Sequence, residues 1–141
     1  MRKRYVLGFC FSDSLTDVAL IRKERPAWQS KCLNGIGGNI EPDETETAAM
    51  EREFFEETGV KIKAGDWIQF CEMSGKGWFV YCFAIRSTLS IVRVRTMTDE
   101  QVRIVEWSKN EEPIIPNLNW LVPLAIESLT NPIESSIYYK D

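Results

Sequence analysis

Residues 37–60 read GGNIEPDETETAAMEREFFEETGV. A glycine-dense segment, Asn34-Gly35-Ile36-Gly37-Gly38-Asn39, leads into it. Such a run predicts a turn whose backbone needs unusual φ/ψ or a close approach by a ligand. A helix then follows. Pro42-Asp43 precedes it, and Asp43 with Glu46 fits a capping box. Ala48, Ala49, Met50, Glu51, Arg52 and Glu53 favour helix, and Gly59 is placed to end it in the left-handed conformation. Glu53, Glu56 and Glu57 stand at i, i+3 and i+4, so they share one helical face, within an arc of roughly 100°. Ala48, Met50, Phe54, Phe55 and Thr58 fall on the opposite side, towards a core. Glu51 lies inside that apolar arc, and nothing in the sequence accounts for it.

A run of helical glutamates is usually a solvated face. Like charges at these spacings oppose the helix by about 0.2–0.5 kcal/mol per pair, and an Arg52–Glu56 pair at i, i+4 offsets only part of that. The alternative is that the face binds a cation. Mg²⁺ takes oxygen ligands, keeps several waters, and binds carboxylates together with substrate phosphates.

The composition narrows the chemistry. The 141 residues contain no histidine, which removes Ser-His-Asp and Cys-His catalysis and the common His-based zinc sites. Acid–base work must come from Glu, Asp, Lys, Tyr or Cys, or from a metal ion. Cys10, Cys32, Cys71 and Cys82 form no C-x-x-C pair, and three of them sit in apolar strand-like runs as small buried hydrophobes. A net charge of −4 argues against long nucleic acid as partner, but not against a small anion neutralised by a metal. After Met1-Arg2-Lys3-Arg4 the apolar run is too short for a signal peptide or a membrane span. The expectation is a cytoplasmic protein.

Outward from the helix the pattern is mixed. Tyr5–Phe11 and Val18–Ile21 read as strands, and residues 24 to 34 as loop. Asp66–Met73 and Gly77–Ile85 read as a hairpin around Ser74-Gly75-Lys76-Gly77. Residues 86 to 101 are ambiguous, Val102–Trp107 alternates as a strand, and Asn119–Leu129 reads as a helix closed by Asn131-Pro132. The whole predicts one α/β domain over 1–141 with no internal linker.

The spacing from Gly38 to Val60 resembles the Nudix box, G-x5-E-x7-R-E-U-x-E-E-x-G-U. Gly38, Glu44, Arg52, Glu53, Glu56, Glu57 and Gly59 fill every fixed position, and Phe54 and Val60 fill the bulky ones. The resemblance implies the Nudix α/β/α sandwich, with a mixed β-sheet between helices and bound Mg²⁺ or Mn²⁺. It implies that Glu56, Glu57 and the Gly37 carbonyl face the metal. Glu53 would bind through water or act as general base, Arg52 would orient a carboxylate, and Glu44 would brace the loop–helix geometry. A later loop often adds an acidic ligand; Asp99 and Glu100 are the candidates, unless they are plain loop charges.

The segment Leu33–Gly38 is similar to the one before the box in MutT-type members, which hydrolyse oxidised purine nucleoside triphosphates such as 8-oxo-dGTP to the monophosphate and pyrophosphate. That resemblance makes Asn34 and Gly38, with Asn119 and Trp120 from the later loop, substrate-binding candidates. Arg22 and Lys23 could meet phosphates, and Trp28 could stack on a base. Asn119 is otherwise a helix N-cap, and Trp120 otherwise core. Asn39 departs from the pattern, because many MutT-like members carry Lys there. Other readings remain open: an ADP-ribose, nucleotide-sugar or dinucleotide pyrophosphatase, or a silent nucleotide-binding module. The expected partner is a small nucleotide, with neither long nucleic acid nor membrane, in a monomer or homodimer.

Overall fold

The computed structural model describes residues 2–140. Eight strands and three helices follow in chain order: β1 (Lys3–Phe11), β2 (Asp17–Arg22), β3 (Leu33–Asn34), β4 (Ile36–Asn39), α1 (Glu46–Thr58), β5 (Ile68–Gly75), β6 (Trp78–Arg86), α2 (Thr88–Ile91), β7 (Gln101–Glu106), α3 (Leu118–Thr130) and β8 (Ser135–Tyr138). One mixed sheet holds all the strands. β1 lies at its centre, parallel to β6 on one side. On the other side its first half pairs antiparallel with β4 and its last residues with β2. β2 carries β7 antiparallel along its far edge, and β8 runs parallel to β5 at the opposite end.

Strand alternation sends side chains to two cores. Phe9, Phe11, Val18, Leu20, Cys82 and Ala84 pack against Leu118, Leu121, Val122 and Ala125 of α3. Val6, Cys10, Ala19, Ile21 and Phe83 pack against Ala49, Met50 and Phe54 of α1. The helices therefore cover opposite faces, which is the expected α/β/α sandwich. Among the described residues no helix is long and apolar enough to cross a membrane.

Several local expectations change. The glycine-dense segment is strand, not turn: Leu33–Asn34 pairs with β2, and Ile36–Asn39 pairs with β1. Among the glycines, positive φ occurs instead at Gly59, which caps α1, and at Gly77 in the β5–β6 turn. What glycine supplies at 37 and 38 is close approach. A Cβ on Gly37 would fall against the Val6 carbonyl, and one on Gly38 would lie 2.6 Å from the Glu53 carboxylate. The N-cap of α1 is Thr45, whose hydroxyl accepts from the Ala48 N–H, rather than Asp43. Phe55 is exposed, and Ala49 takes its place in the core. Glu51 is no misfit in its arc, because it accepts from the Ala64 N–H at 2.8 Å and pairs with Lys61.

Gly37→Ala should therefore lower unfolding stability by about 3 kcal/mol or more, since backbone has to move. Gly65→Ala, where an added Cβ meets nothing within 4 Å, should stay within about 0.5 kcal/mol. Urea unfolding of the two variants checks the contrast.

Candidate active site

The site is assembled where α1 crosses β4. The Thr45 cap and the left-handed Gly59 fix both ends of the helix. Met50, Phe54 and Thr58, spaced four apart, bury one stripe of it. That orientation turns Glu53 towards Gly38, and the carboxylate fills the space a side chain there would take. Glu53 is only 9% exposed.

Arg52 organises the carboxylates around it. Its Nε and Nη2 donate to the two oxygens of Glu44 at 2.6 and 2.9 Å, and Nη2 also donates to the Asn39 carbonyl at 2.9 Å. Nη1 donates to Glu53 Oε1 at 3.0 Å and to Glu56 at 3.2 Å. Glu44 in turn accepts the Glu41 N–H at 2.9 Å. The guanidinium fork suits this bidentate pairing in a way an ammonium does not. Its hydrogen bonds hold Glu44 below the ordinary carboxylate range.

Glu53 and Glu57 differ. Burial pushes Glu53 up, against the pull of Arg52, and Glu56 and Glu57 add to the push. Burial also raises Glu57, against the Thr98 hydroxyl and Lys23, with Glu100 and Glu56 adding to the rise. The Glu56 carboxylate projects outward, its side chain 53% exposed.

Glu100, expected as an extra ligand, has both oxygens engaged within the protein. Lys23 Nζ reaches Oε1 at 3.0 Å, and the backbone N–H groups of Glu24 and Arg25 reach Oε2 at 2.7 and 3.3 Å. Lys23, expected at a phosphate, is thus tied to Glu100. Asp99 is exposed and paired with Arg25. Arg22 is half-buried at the end of β2.

On the other side of the sheet edge, Asn34 is oriented at both ends of its amide: Nδ2 donates to Gln29 and Oδ1 accepts from the Gly35 N–H. Residues 113–115 run beside β3, with Leu33 N–H donating to Pro113 and Ile115 N–H to Leu33. The helix N-cap is Asn117, not Asn119. Asn119 is exposed, one residue inside α3, and donates to the Pro116 carbonyl. Trp120 is 37% exposed rather than core, and Trp28 is 70% exposed.

Two residues escaped the sequence reading. Asn117 buries its Oδ1 with no hydrogen-bond partner among the described residues. Thr98 donates to Glu57 Oε2 at 3.2 Å. The Asn117-Leu118-Asn119 repeat offered a signal for the first; nothing marked the second.

The donor set is chemically suited to a hard divalent cation. Gly38 clears room for one carboxylate, and two of the three helical glutamates carry burial and repulsion that positive charge would relieve. No group of three acidic or thiol side chains converges as a closed cage among the described residues. Mg²⁺ does not need one, because it binds through one or two carboxylates plus waters and phosphates.

The comparisons with known proteins agree with this architecture. The NUDIX domain profile matches residues 1–124. The chain belongs to the NUDIX family of hydrolases, which act on small nucleotide substrates and generally use divalent metal cations. No curated protein matches it in sequence. Among solved structures it is similar to MutT from a study of Aliivibrio salmonicida and Vibrio cholerae, at 17% identity and TM-score 0.75 over 91% of this chain and 99% of that one. It is also similar to the mutator MutT protein of Bacillus halodurans, at 16% identity and TM-score 0.70 over 98% and 90%. An ADP-ribose pyrophosphatase from Streptococcus suis gives 10% identity and TM-score 0.73 over 99% and 100%. At such identities the similarity is one of fold.

Glu100 yields a stability test. Burial alone would lift its pKa, but the Glu24 N–H, Lys23 and the Arg25 N–H more than reverse this, so the folded value lies below the ordinary one. Its stabilisation is therefore present above the ordinary carboxylate range and is lost as pH falls through the depressed value. Glu100→Gln should cost about 1–3 kcal/mol at neutral pH, and urea unfolding should show the gap closing as the solution is acidified.

Proposed function

We propose that the chain hydrolyses a nucleoside triphosphate to the monophosphate and pyrophosphate, with Mg²⁺ or Mn²⁺ as cofactor and oxidised purine nucleotides such as 8-oxo-dGTP among its substrates. The observation that carries the hydrolytic reading is the seating of Glu53 against Gly38, with Glu56 and Glu57 on the same helical face. Glu56, Glu57 and the Gly37 carbonyl would hold the cation. When bound, the cation would neutralise phosphate charge and favour the ionised glutamates. Glu53, buried and raised in pKa, suits the group that takes a proton as water attacks phosphorus and the bond between the α- and β-phosphates breaks. Arg52 holds that carboxylate in place, and Glu44 holds Arg52.

The base would lie between β3 and the start of α3. Asn34 has a fixed amide, and the unpartnered Asn117 Oδ1 could accept from a purine N–H. Trp28 and Trp120 offer exposed rings for stacking. Asn119, exposed and turned to Pro116, would be a lesser contact. Arg22 stands closer to a phosphate role than Lys23, which Glu100 holds.

A second reading keeps the chemistry and changes the substrate to ADP-ribose or a nucleotide sugar. It stays open because the same fold is found in the Streptococcus suis ADP-ribose pyrophosphatase as well as in the MutT proteins. Product analysis separates the two. Pyrophosphate released from nucleoside triphosphates supports the first; monophosphates released from ADP-ribose, with triphosphates untouched, support the second.

Glu53→Gln or Glu57→Gln should lower kcat by about 10²-fold or more, and EDTA should abolish turnover. Full activity in either variant would overturn the site. Both carboxylates carry raised values, so activity at limiting Mg²⁺ should fall on acidification at a higher pH than an ordinary carboxylate would give. Saturating Mg²⁺ should move that acid limb to lower pH, because a cation favours the charged form. A pH–rate series at two Mg²⁺ concentrations reads the shift.

A further inference from the structure

The segment from Arg95 to Glu100 lies across the C-terminal end of α1, and its attachments are specific. The Arg95 N–H donates to the Thr58 carbonyl at 3.1 Å. The Val102 N–H donates to Thr96 Oγ1 at 2.9 Å. At the far end Glu100 is buried and bonded to Lys23, Glu24 and Arg25. The segment is therefore fixed to the helix at one end and to the end of β2 at the other. Thr98 stands between these anchors.

The Thr98 hydroxyl has one proton and is an acceptor as well. It accepts the Glu100 N–H at 3.1 Å, so its own proton is free to point elsewhere. Two acceptors are in range, Glu57 Oε2 at 3.2 Å and the Glu100 carbonyl at 3.5 Å. The nearer is a carboxylate, and a charge-assisted bond is the stronger. Glu57 Oε2 is thereby occupied, while Oε1 accepts no hydrogen bond among the described residues. The terminal torsion of a glutamate is broad and roughly two-fold, so without a partner the carboxylate would turn freely.

We propose that Thr98 is a positioning residue that tethers Glu57 by one oxygen and leaves the other presented to the cation. The inference rests on the reading of Glu57 as a metal ligand given above. Glu100 acts in the same arrangement as the anchor of the tether, through the backbone N–H it lends to Thr98 and the three groups it holds on the β2 side. The segment thus gives the site a polar support that comes from outside the helix.

Binding of Mn²⁺ to the full chain, followed by the loss of the free-ion electron paramagnetic resonance signal, tests this without turnover. Thr98→Val keeps the shape and removes the donor to Glu57 together with the acceptor of the Glu100 N–H. It should weaken Mn²⁺ binding about threefold to tenfold, the worth of one hydrogen bond, while Thr98→Ser should remain within about twofold of the unchanged protein. Hydrogen exchange on the metal-free proteins supplies a second measure, because losing the hydroxyl should raise exchange across residues 95–100 in the valine and alanine variants and not in the serine variant. Thr98→Ala repeats the deletion should valine disturb the loop. Unchanged Mn²⁺ affinity in both Thr98→Val and Thr98→Ala, or equal losses in Thr98→Val and Thr98→Ser, would overturn the tether. Glu57→Gln tells the two failures apart. If it loses Mn²⁺ binding while the Thr98 variants do not, only the tether falls. If it too binds normally, the cation lies elsewhere and the tether falls with the site.

Discussion

The Glu53 carboxylate occupies the volume in which a side chain at position 38 would begin. Strand and helix can approach this closely because β4 carries Gly38 where α1 crosses it, while Gly37 answers to the backbone of β1. Much of the site follows from that approach. With Glu53 held under the strand, Arg52 is directed along the surface, where its fork meets Glu44, the Asn39 carbonyl and Glu56. The adjoining stripe of the helix is then committed to the core through Met50 and Phe54. One steric allowance in a strand fixes both the buried and the polar face of the helix.

The helix was legible because its information is local. Glutamates three and four apart must share a face whatever the rest of the chain does. Gly59 ends the helix for reasons contained in its own backbone. The preceding strand was misread because glycine signals two different needs, left-handed backbone and close approach, and sequence does not separate them. Here the glycines at 37 and 38 serve closeness within ordinary strand geometry, while positive φ falls at 59 and 77. The N-cap shifted from Asp43 to Thr45 because several adjacent residues could cap, and the register of the buried stripe decides which does. Glu51 resisted explanation for another reason: its partner is the Ala64 backbone, thirteen positions away beyond the helix end. Thr98 lay further out of reach, 41 positions from Glu57 in a segment with no periodicity. A single hydroxyl in a loop has no pattern to announce it.

The polar groups on the β2 side share this long-range character. Glu100 and Lys23 form a pair that sequence could offer only as separate candidates for metal and phosphate. Burial explains why they found each other. A carboxylate as enclosed as Glu100 needs its oxygens satisfied, and the ends of β2 and β7 bring an ammonium and two backbone N–H groups to it. The loop after β2, which carries Trp28 and Gln29, is held at its base by this side chain together with the backbone bonds that join Lys23 to Lys31 and Cys32.

The distribution of countercharge along α1 is uneven, and that unevenness has a chemical sense. Arg52 serves Glu44, Glu53 and Glu56, so the start and middle of the acidic face are partly neutralised by one residue on the helix itself. Glu57 has no ion-pair partner among the described residues; its hydrogen bond comes from a neutral hydroxyl, and Glu100 adds repulsion that outweighs the pull of Lys23. In a chain selected only for stability this end of the helix would gain from a lysine or an arginine, which would also suit the negative pole of the helix dipole. The last turn instead holds no basic residue and two consecutive glutamates. A deficit of positive charge maintained against both local repulsion and the dipole is what a site needs if a cation is to complete it, because a resident basic side chain would compete for the same carboxylate.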